Sequence, residues 1–255
     1  IHFEGPYLAP DKAGVHDRAR IRRPRPAEEA MLTGLRGGTI LVTLAPERVP
    51  PGFIARLAAA GTRVALGHSM ATYEQTRAAL AEGLCGFTHL FNAMRPLAAR
   101  EGGPIAAALE APSAWLGLIV DGAHVAPPVL RLALRGLGRP MLVSDAMPPV
   151  GGTQASFDLG GQRIEVRDGR CLRADGTLAG AVLDMASAVR NCVRLLDLPL
   201  TAALGLASAA PAAFLGIADR LGHLAPGCRA DMVALDPEAV AVRTSWVAGA
   251  ASPGA

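Results

Sequence analysis

Residues 63–92 read RVALGHSMATYEQTRAALAEGLCGFTHLFN. An apolar run at 63–67 ends in Gly67-His68-Ser69, an amphipathic stretch follows at 73–82, and a second apolar run at 86–89 ends in His89. Short apolar run, helical period, short apolar run is the signature of a βαβ unit. Its two strands lie parallel and the helix crosses between them with right-handed sense. The two histidines are therefore expected at the C-terminal ends of neighbouring strands, on one edge of a sheet.

The same texture extends in both directions. Apolar runs at 1–3, 39–44, 116–120 and 140–144 read as further buried strands, and 52–60 and 127–135 as helices, the latter opened by Pro127-Pro128. No nucleotide-binding glycine-rich turn follows any of the strands. Polar residues recur at their C-terminal ends, where a (β/α)8 barrel carries its chemistry. Such a barrel needs eight strands and six are visible, the first already ending near Ile1. The expectation is an α/β TIM-like barrel over residues 1–220 whose first strands precede the chain. A β-hairpin insertion is expected at 156–174, where Phe157-Asp158-Leu159 and Arg163-Ile164-Glu165-Val166 flank the turn pair Gly160-Gly161. Leu178-Ala179-Gly180 then leads into a helix at 183–196, with further helices at 200–208 and 211–215. Residues 221–255 turn glycine-rich and β-like, which predicts the C-terminal strands of a small β-sandwich domain.

Composition narrows the function. Of the 255 residues, 51% are hydrophobic and only 4% aromatic, so the core is built from Ala, Leu and Val. The net charge of +3 comes from scattered arginines, and Lys12 is the only lysine. With no basic stripe interleaved with aromatics, nucleic-acid binding is not expected. The apolar runs are too short to span a bilayer, so no membrane partner is expected. Cys85, Cys171, Cys192 and Cys228 form no CxxC pair, which fits a reduced, cytoplasmic compartment.

Glu4 ends the first strand ahead of Gly5-Pro6, which stops it. His68 and His89 end two others. One carboxylate and two imidazoles suit a borderline divalent cation, most simply Zn²⁺, with Fe²⁺ or another divalent ion as alternatives. His2, two residues before Glu4 on the same strand face, reads as a supporting or packing histidine. Asp145 follows the apolar run Met141-Leu142-Val143 and has two readings. It is either a general base and acid at the barrel mouth or the N-cap of a following helix. His16, His124, Asn92 and Arg100 lie in loops after strands and offer phosphate-binding groups.

At this point the motifs taken together resemble those of the N-acetylglucosamine-6-phosphate deacetylases of the amidohydrolase superfamily. The resemblance is carried by His2-Phe3-Glu4-Gly5-Pro6, Lys12-Ala13-Gly14-Val15-His16, Leu44-Ala45-Pro46-Glu47 and Gly67-His68-Ser69. It continues through Thr88-His89-Leu90-Phe91-Asn92-Ala93-Met94, Asp121-Gly122-Ala123-His124-Val125, Ser144-Asp145-Ala146 and Leu178-Ala179-Gly180-Ala181, to Leu224-Ala225-Pro226-Gly227. It implies a metal-dependent hydrolysis of N-acetyl-D-glucosamine 6-phosphate to D-glucosamine 6-phosphate and acetate, in amino-sugar catabolism. It further implies Glu4, His68 and His89 as metal ligands and Asp145 as the catalytic base. Val15 and His16 would contact the substrate, with His16 near the acetamide carbonyl. Asn92, Ala93, Arg100, Asp121, Gly122, Ala123 and His124 would hold the sugar phosphate, and Leu178, Ala179 and Gly180 would line the acetyl end. The arginine can serve a neighbouring subunit's site, which implies a homodimer. The alternatives are a deacetylase or amidohydrolase for another N-acyl sugar, and a truncated, non-catalytic fragment.

Overall fold

In the computed structural model, residues 1–253 are described. Six strands, β1 (His2–Glu4), β2 (Leu41–Leu44), β3 (Arg63–Leu66), β4 (Gly86–Phe87), β5 (Trp115–Leu118) and β6 (Arg139–Leu142), form one sheet. All neighbours are parallel and their spatial order is their chain order. A doubly wound sheet reverses direction at a switch point, and this one does not. Each strand steps to the next in the same sense.

The crossovers follow from local sequence. Helix α1 (Pro26–Gly34) begins with proline, whose missing N–H is no loss in the first turn. After α2 (Phe53–Ala59), helix α3 (Tyr73–Ala81) opens with a capping box in which Thr72 accepts from the Gln75 N–H and the Gln75 side chain accepts from the Thr72 N–H. Helices α4 (Gly103–Glu110) and α5 (Pro127–Arg135) complete the crossovers. Their apolar stripes meet the sheet in a core that includes Val42, Leu44, Phe53, Leu57, Val64, Leu66, Leu116 and Leu118, all fully or almost fully buried.

The expected runs and the strands agree to within a few residues, but β3, β4, β5 and β6 end earlier than the apolar runs, and past three of these ends the backbone turns left-handed. His68, His89 and Asp145 have φ of +49°, +34° and +50°. That is the left-handed region, which a continuing strand cannot use. A second difference concerns the insertion. It is a four-stranded antiparallel sheet rather than a hairpin, made of β7 (Ser156–Leu159), β8 (Gln162–Arg167), β9 (Arg170–Leu172) and β10 (Leu178–Ala181). Its first turn is the expected one: Leu159 pairs with Gln162 across Gly160-Gly161, both at positive φ. Leu178-Ala179-Gly180 is therefore a strand, its run hidden by two small residues. The third difference is that no helix follows Asp145, because a turn and then β7 come next. The helix-cap reading of Asp145 falls. The next helix is α6 (Met185–Leu196), and Asp184 caps it by accepting from the Ser187 N–H.

Helices α7 (Leu200–Ala207) and α8 (Ala209–Leu215) follow. The tail forms a separate three-stranded antiparallel sheet of β11 (Met232–Asp236), β12 (Ala241–Val247) and β13 (Ala250–Pro253). Val240, in the turn between β11 and β12, is buried in the main core, and its carbonyl accepts from Arg190 of α6. Among the described residues no helix is long and apolar enough to cross a membrane.

Candidate active site

Parallel strands put their C-terminal ends on one edge. Glu4 is the last residue of β1, His68 and His89 stand just beyond β3 and β4, and Asp145 just beyond β6. The Nε2 atoms of His68 and His89 are each 3.0 Å from Glu4 Oε1 and 3.1 Å from one another. Both rings are almost fully buried, stacked edge to face with centroids 4.8 Å apart. The sequence-derived trio thus converges on one point.

The protonation of this cluster tests whether a cation suits it. His68 Nδ1 lies 2.7 Å from the Lys12 carbonyl oxygen, which can only accept, so Nδ1 carries the hydrogen. In neutral His68 the Nε2 lone pair then faces a carboxylate oxygen and a second imidazole nitrogen. A neutral His89 can donate one hydrogen from Nε2, but the 3.0 Å contact between His68 Nε2 and Glu4 Oε1 still sets a lone pair against a carboxylate, which a further proton or a metal ion would relieve. The ionisation equilibria point the same way. Burial pushes the Glu4 carboxyl up, but hydrogen bonds to His68 and His89 outweigh it and hold the group far below the usual carboxylate range. Burial pushes His89 down, but its hydrogen bond to Glu4 and the negative charges of Glu4 and Asp145 raise it above an ordinary imidazole. His89 Nδ1 is buried without a partner. The residues fit a divalent cation.

His16 joins this group. Ligand-type atoms of Glu4, His16 and His68 lie within 4.8 Å of one another, and the His16 ring stands edge-on to His68 at 4.7 Å. Burial, reinforced by His68, lowers the His16 pKa. Gly14 makes this packing possible. It sits at φ +57°, and a Cβ there would come within 3.2 Å of His68 Cε1.

A cleft of about 990 Å³ opens over the cluster, lined by Glu4, His68, His89 and Asp145 together with Val15, His16, Asn92, Ala93, His124, Leu178 and Gly180. Other expected residues lie elsewhere. Ala179 points away from the cleft into a small second core with Ile164 and Cys171, as the two-residue period of a strand requires. Asp121, Gly122 and Ala123 do not line the cleft. Instead the Asp121 carboxylate accepts from the backbone N–H groups of Ala123 and His124 at 2.8 Å, and lies 2.6 Å from His124 Nδ1. Burial would raise Asp121, but these bonds outweigh it and lower its pKa. The turn thus orients His124 and leaves Nε2 as its free ring nitrogen. Arg100 is exposed, on a turn closed by the Ala98–Glu101 bridge, and is outside the cleft lining. His2 lies in a second cavity of about 270 Å³ that shares Glu4, His89 and Asp145, and its Nε2 is 2.8 Å from Thr43 Oγ1.

Sequence reasoning missed the contribution of the β7–β10 sheet. Leu159 and Gly160 from its first turn, and Gly176 and Thr177 from its last, also line the cleft, as does Met147. Arg173 of this sheet donates to the Gly14 carbonyl at 3.2 Å, tying the sheet to the loop that carries Val15 and His16. Nothing in the sequence of the insertion states which way it folds back.

Comparison with known proteins is consistent with this geometry. The model of the amidohydrolase family matches residues 1–252. An N-acetylgalactosamine-6-phosphate deacetylase of Shewanella sp. (strain ANA-3) is 42% identical over 98% of the chain, and an N-acetylglucosamine-6-phosphate deacetylase of Vibrio furnissii is 36% identical over 97%. The chain spans 63% of the length of each of these relatives. The crystal structure of N-acetylglucosamine-6-phosphate deacetylase from Pasteurella multocida superposes with a TM-score of 0.95 at 34% identity, covering 100% of this chain and 67% of that one.

Proposed function

The chain belongs to the amidohydrolase family, and we propose from that premise that the protein hydrolyses N-acetyl-D-glucosamine 6-phosphate to D-glucosamine 6-phosphate and acetate. The observation that carries the reading is the convergence of Glu4, His68 and His89 at 3.0–3.1 Å beside Asp145 in one cleft. Glu4, His68 and His89 hold the divalent ion, which we take to be Zn²⁺ from the mixed carboxylate and imidazole donors. When bound, such an ion polarises an amide carbonyl and lowers the pKa of a water.

The remaining steps belong to the chain's own residues. His16 orients the acetamide carbonyl. Asp145 takes the proton of the attacking water on its carboxylate and returns it to the departing amine nitrogen. Val15, Leu178 and Gly180 exclude water around the acetyl group. His124, oriented by Asp121, and the Asn92-Ala93 turn bind the phosphate. Arg100, exposed outside its own cleft, reaches the phosphate in a neighbouring subunit of a homodimer. The six strands belong to a (β/α)8 barrel and β11–β13 to a small β-sandwich. The chain-ordered parallel sheet and the Pasteurella multocida superposition support this.

A second reading, N-acetyl-D-galactosamine 6-phosphate as substrate, is favoured by the 42% identity to the Shewanella protein. Acetate release by the full-length, zinc-loaded protein tests both. Turnover of N-acetylglucosamine 6-phosphate well above the galacto epimer supports the first reading, and the reverse order supports the second. No acetate from either phosphate overturns both.

A further inference from the structure

We propose that Glu47, which does not line the cleft, is a positioning residue that sets the metal affinity of the Glu4–His68–His89 cluster by holding the turn after His68. The inference rests on the metal-site reading above. Glu47 lies in the single 3-10 turn Pro46–Arg48 that follows β2. Both of its carboxylate oxygens are spent on the neighbouring strand end: Oε2 accepts from Ser69 Oγ at 2.7 Å and Oε1 from the Met70 N–H at 2.6 Å. Ser69 Oγ in turn accepts from the Ala71 N–H at 3.0 Å. The carboxylate thus gathers residues 69–71 around one point.

What those residues adjoin gives the bonds their purpose. His68 sits at φ +49°, a conformation costly for a residue with a side chain, and it persists only where its surroundings over-determine it. On its N-terminal side, β3 fixes the backbone. On its C-terminal side, Ser69 N–H donates to the Ala93 carbonyl at 3.0 Å, and Arg95 Nε donates to the carbonyls of Met70 and Ala71. Glu47 is the acceptor that satisfies the N–H and O–H groups of the same turn. Without it the turn can relax toward a commoner backbone conformation, and the His68 ring swings away from Glu4 and His89. A charged acceptor makes shorter, stronger bonds than a neutral one, as these distances reflect.

The test measures zinc affinity by chelator competition, together with thermal melting, in the full-length protein and its variants. Glu47→Ala should weaken zinc binding by about 10–100-fold, the usual effect of removing a group that orients a ligand. Glu47→Gln, which keeps the shape and an acceptor for Met70, should recover most of that loss. Ser69→Ala, which removes one of the two bonds, should fall between. His68→Ala is the control for the metal reading. If His68→Ala loses zinc while all three other variants bind it as the parent does, the role of Glu47 is overturned and the metal site stands. If His68→Ala also binds zinc normally, the metal reading itself falls and takes the inference with it. A lowered melting temperature in Glu47→Ala with unchanged zinc affinity marks a purely structural residue and overturns the proposal. If Glu47→Ala does not fold, Glu47→Gln and Ser69→Ala decide it, and parental zinc affinity in both overturns it.

Discussion

Asp145 stands three residues past β6 at φ +50°, lines the same cleft as the histidines, and caps no helix. Its carboxylate is not committed to a helix end, and under the proposed function Asp145→Asn should leave folding and metal content intact while lowering turnover by about 10²–10⁴. Substrate affinity should change much less, because the group acts in the transition state. Near-parental turnover by a stable, zinc-loaded variant removes Asp145 from the mechanism. Gly180 faces a different constraint. At φ +73°, an added Cβ would lie 3.0 Å from the Asp145 carbonyl oxygen and closer still to the Met147 side chain. The left-handed backbone alone costs a residue with a side chain about 1–2 kcal/mol. Gly180→Ala should thus lower the melting temperature by about 2–8 °C and also reduce turnover by shifting the Asp145 loop. Unchanged melting and turnover would show that the loop adapts.

At the scale of elements, strands and helices were legible because buried parallel strands announce themselves as apolar runs. Of the crossover helices, α2, α3 and α5 were legible from their helical period, α5 also from Pro127-Pro128, whereas α1 and α4 were not read from the sequence. What was not legible has a common physical cause. Left-handed conformations at His68, His89 and Asp145 are imposed by tertiary packing, not by residue type, so the strands looked longer than they are. Leu178-Ala179-Gly180 looked like a lead into a helix because its strand character comes from pairing with β9. Glu4, His68 and His89 were legible as a group because each stands at or just beyond the end of a strand, β1, β3 and β4. Glu47 was visible only as a motif residue, since its bonds cross from one strand end to the next. Helix α1 carries a pH-dependent contact of the same kind. Hydrogen bonds from Arg22, then from Arg25, outweigh the effect of burial and lower the Glu28 pKa to about 2. A carboxyl so depressed stabilises the fold above its unfolded pKa, near 4.3, and loses that contribution as the pH falls toward 2. Glu28→Gln should therefore reduce stability at pH 6 and flatten the acid transition between about pH 4 and 2. Chemical denaturation at pH 6 and pH 3 checks this, and equal losses at both would contradict it.

At the scale of the whole molecule, Arg100 links one subunit to the next under the proposed function. A charge-assisted bond to phosphate contributes about 1.5–3 kcal/mol, so Arg100→Ala should lower kcat/KM for the phosphorylated sugar roughly ten-fold or more. Hydrolysis of the unphosphorylated sugar should hardly change. Mixing Arg100→Ala with Asp145→Asn subunits should restore part of the activity through hybrid dimers, whereas no restoration would place the arginine's action within its own chain. The order of the parallel sheet has one more consequence, and it concerns time rather than space. Strand neighbours in the sheet are neighbours in synthesis, so each new strand meets its partner as it leaves the ribosome, and the sheet can grow from β1 to β6 without waiting for a distant segment. Under the proposed function, the ligand trio is complete once His89 has emerged, and Asp145 arrives more than fifty residues later. A nascent chain of the proposed enzyme would gather its cation before it holds the group that makes the site hydrolytic.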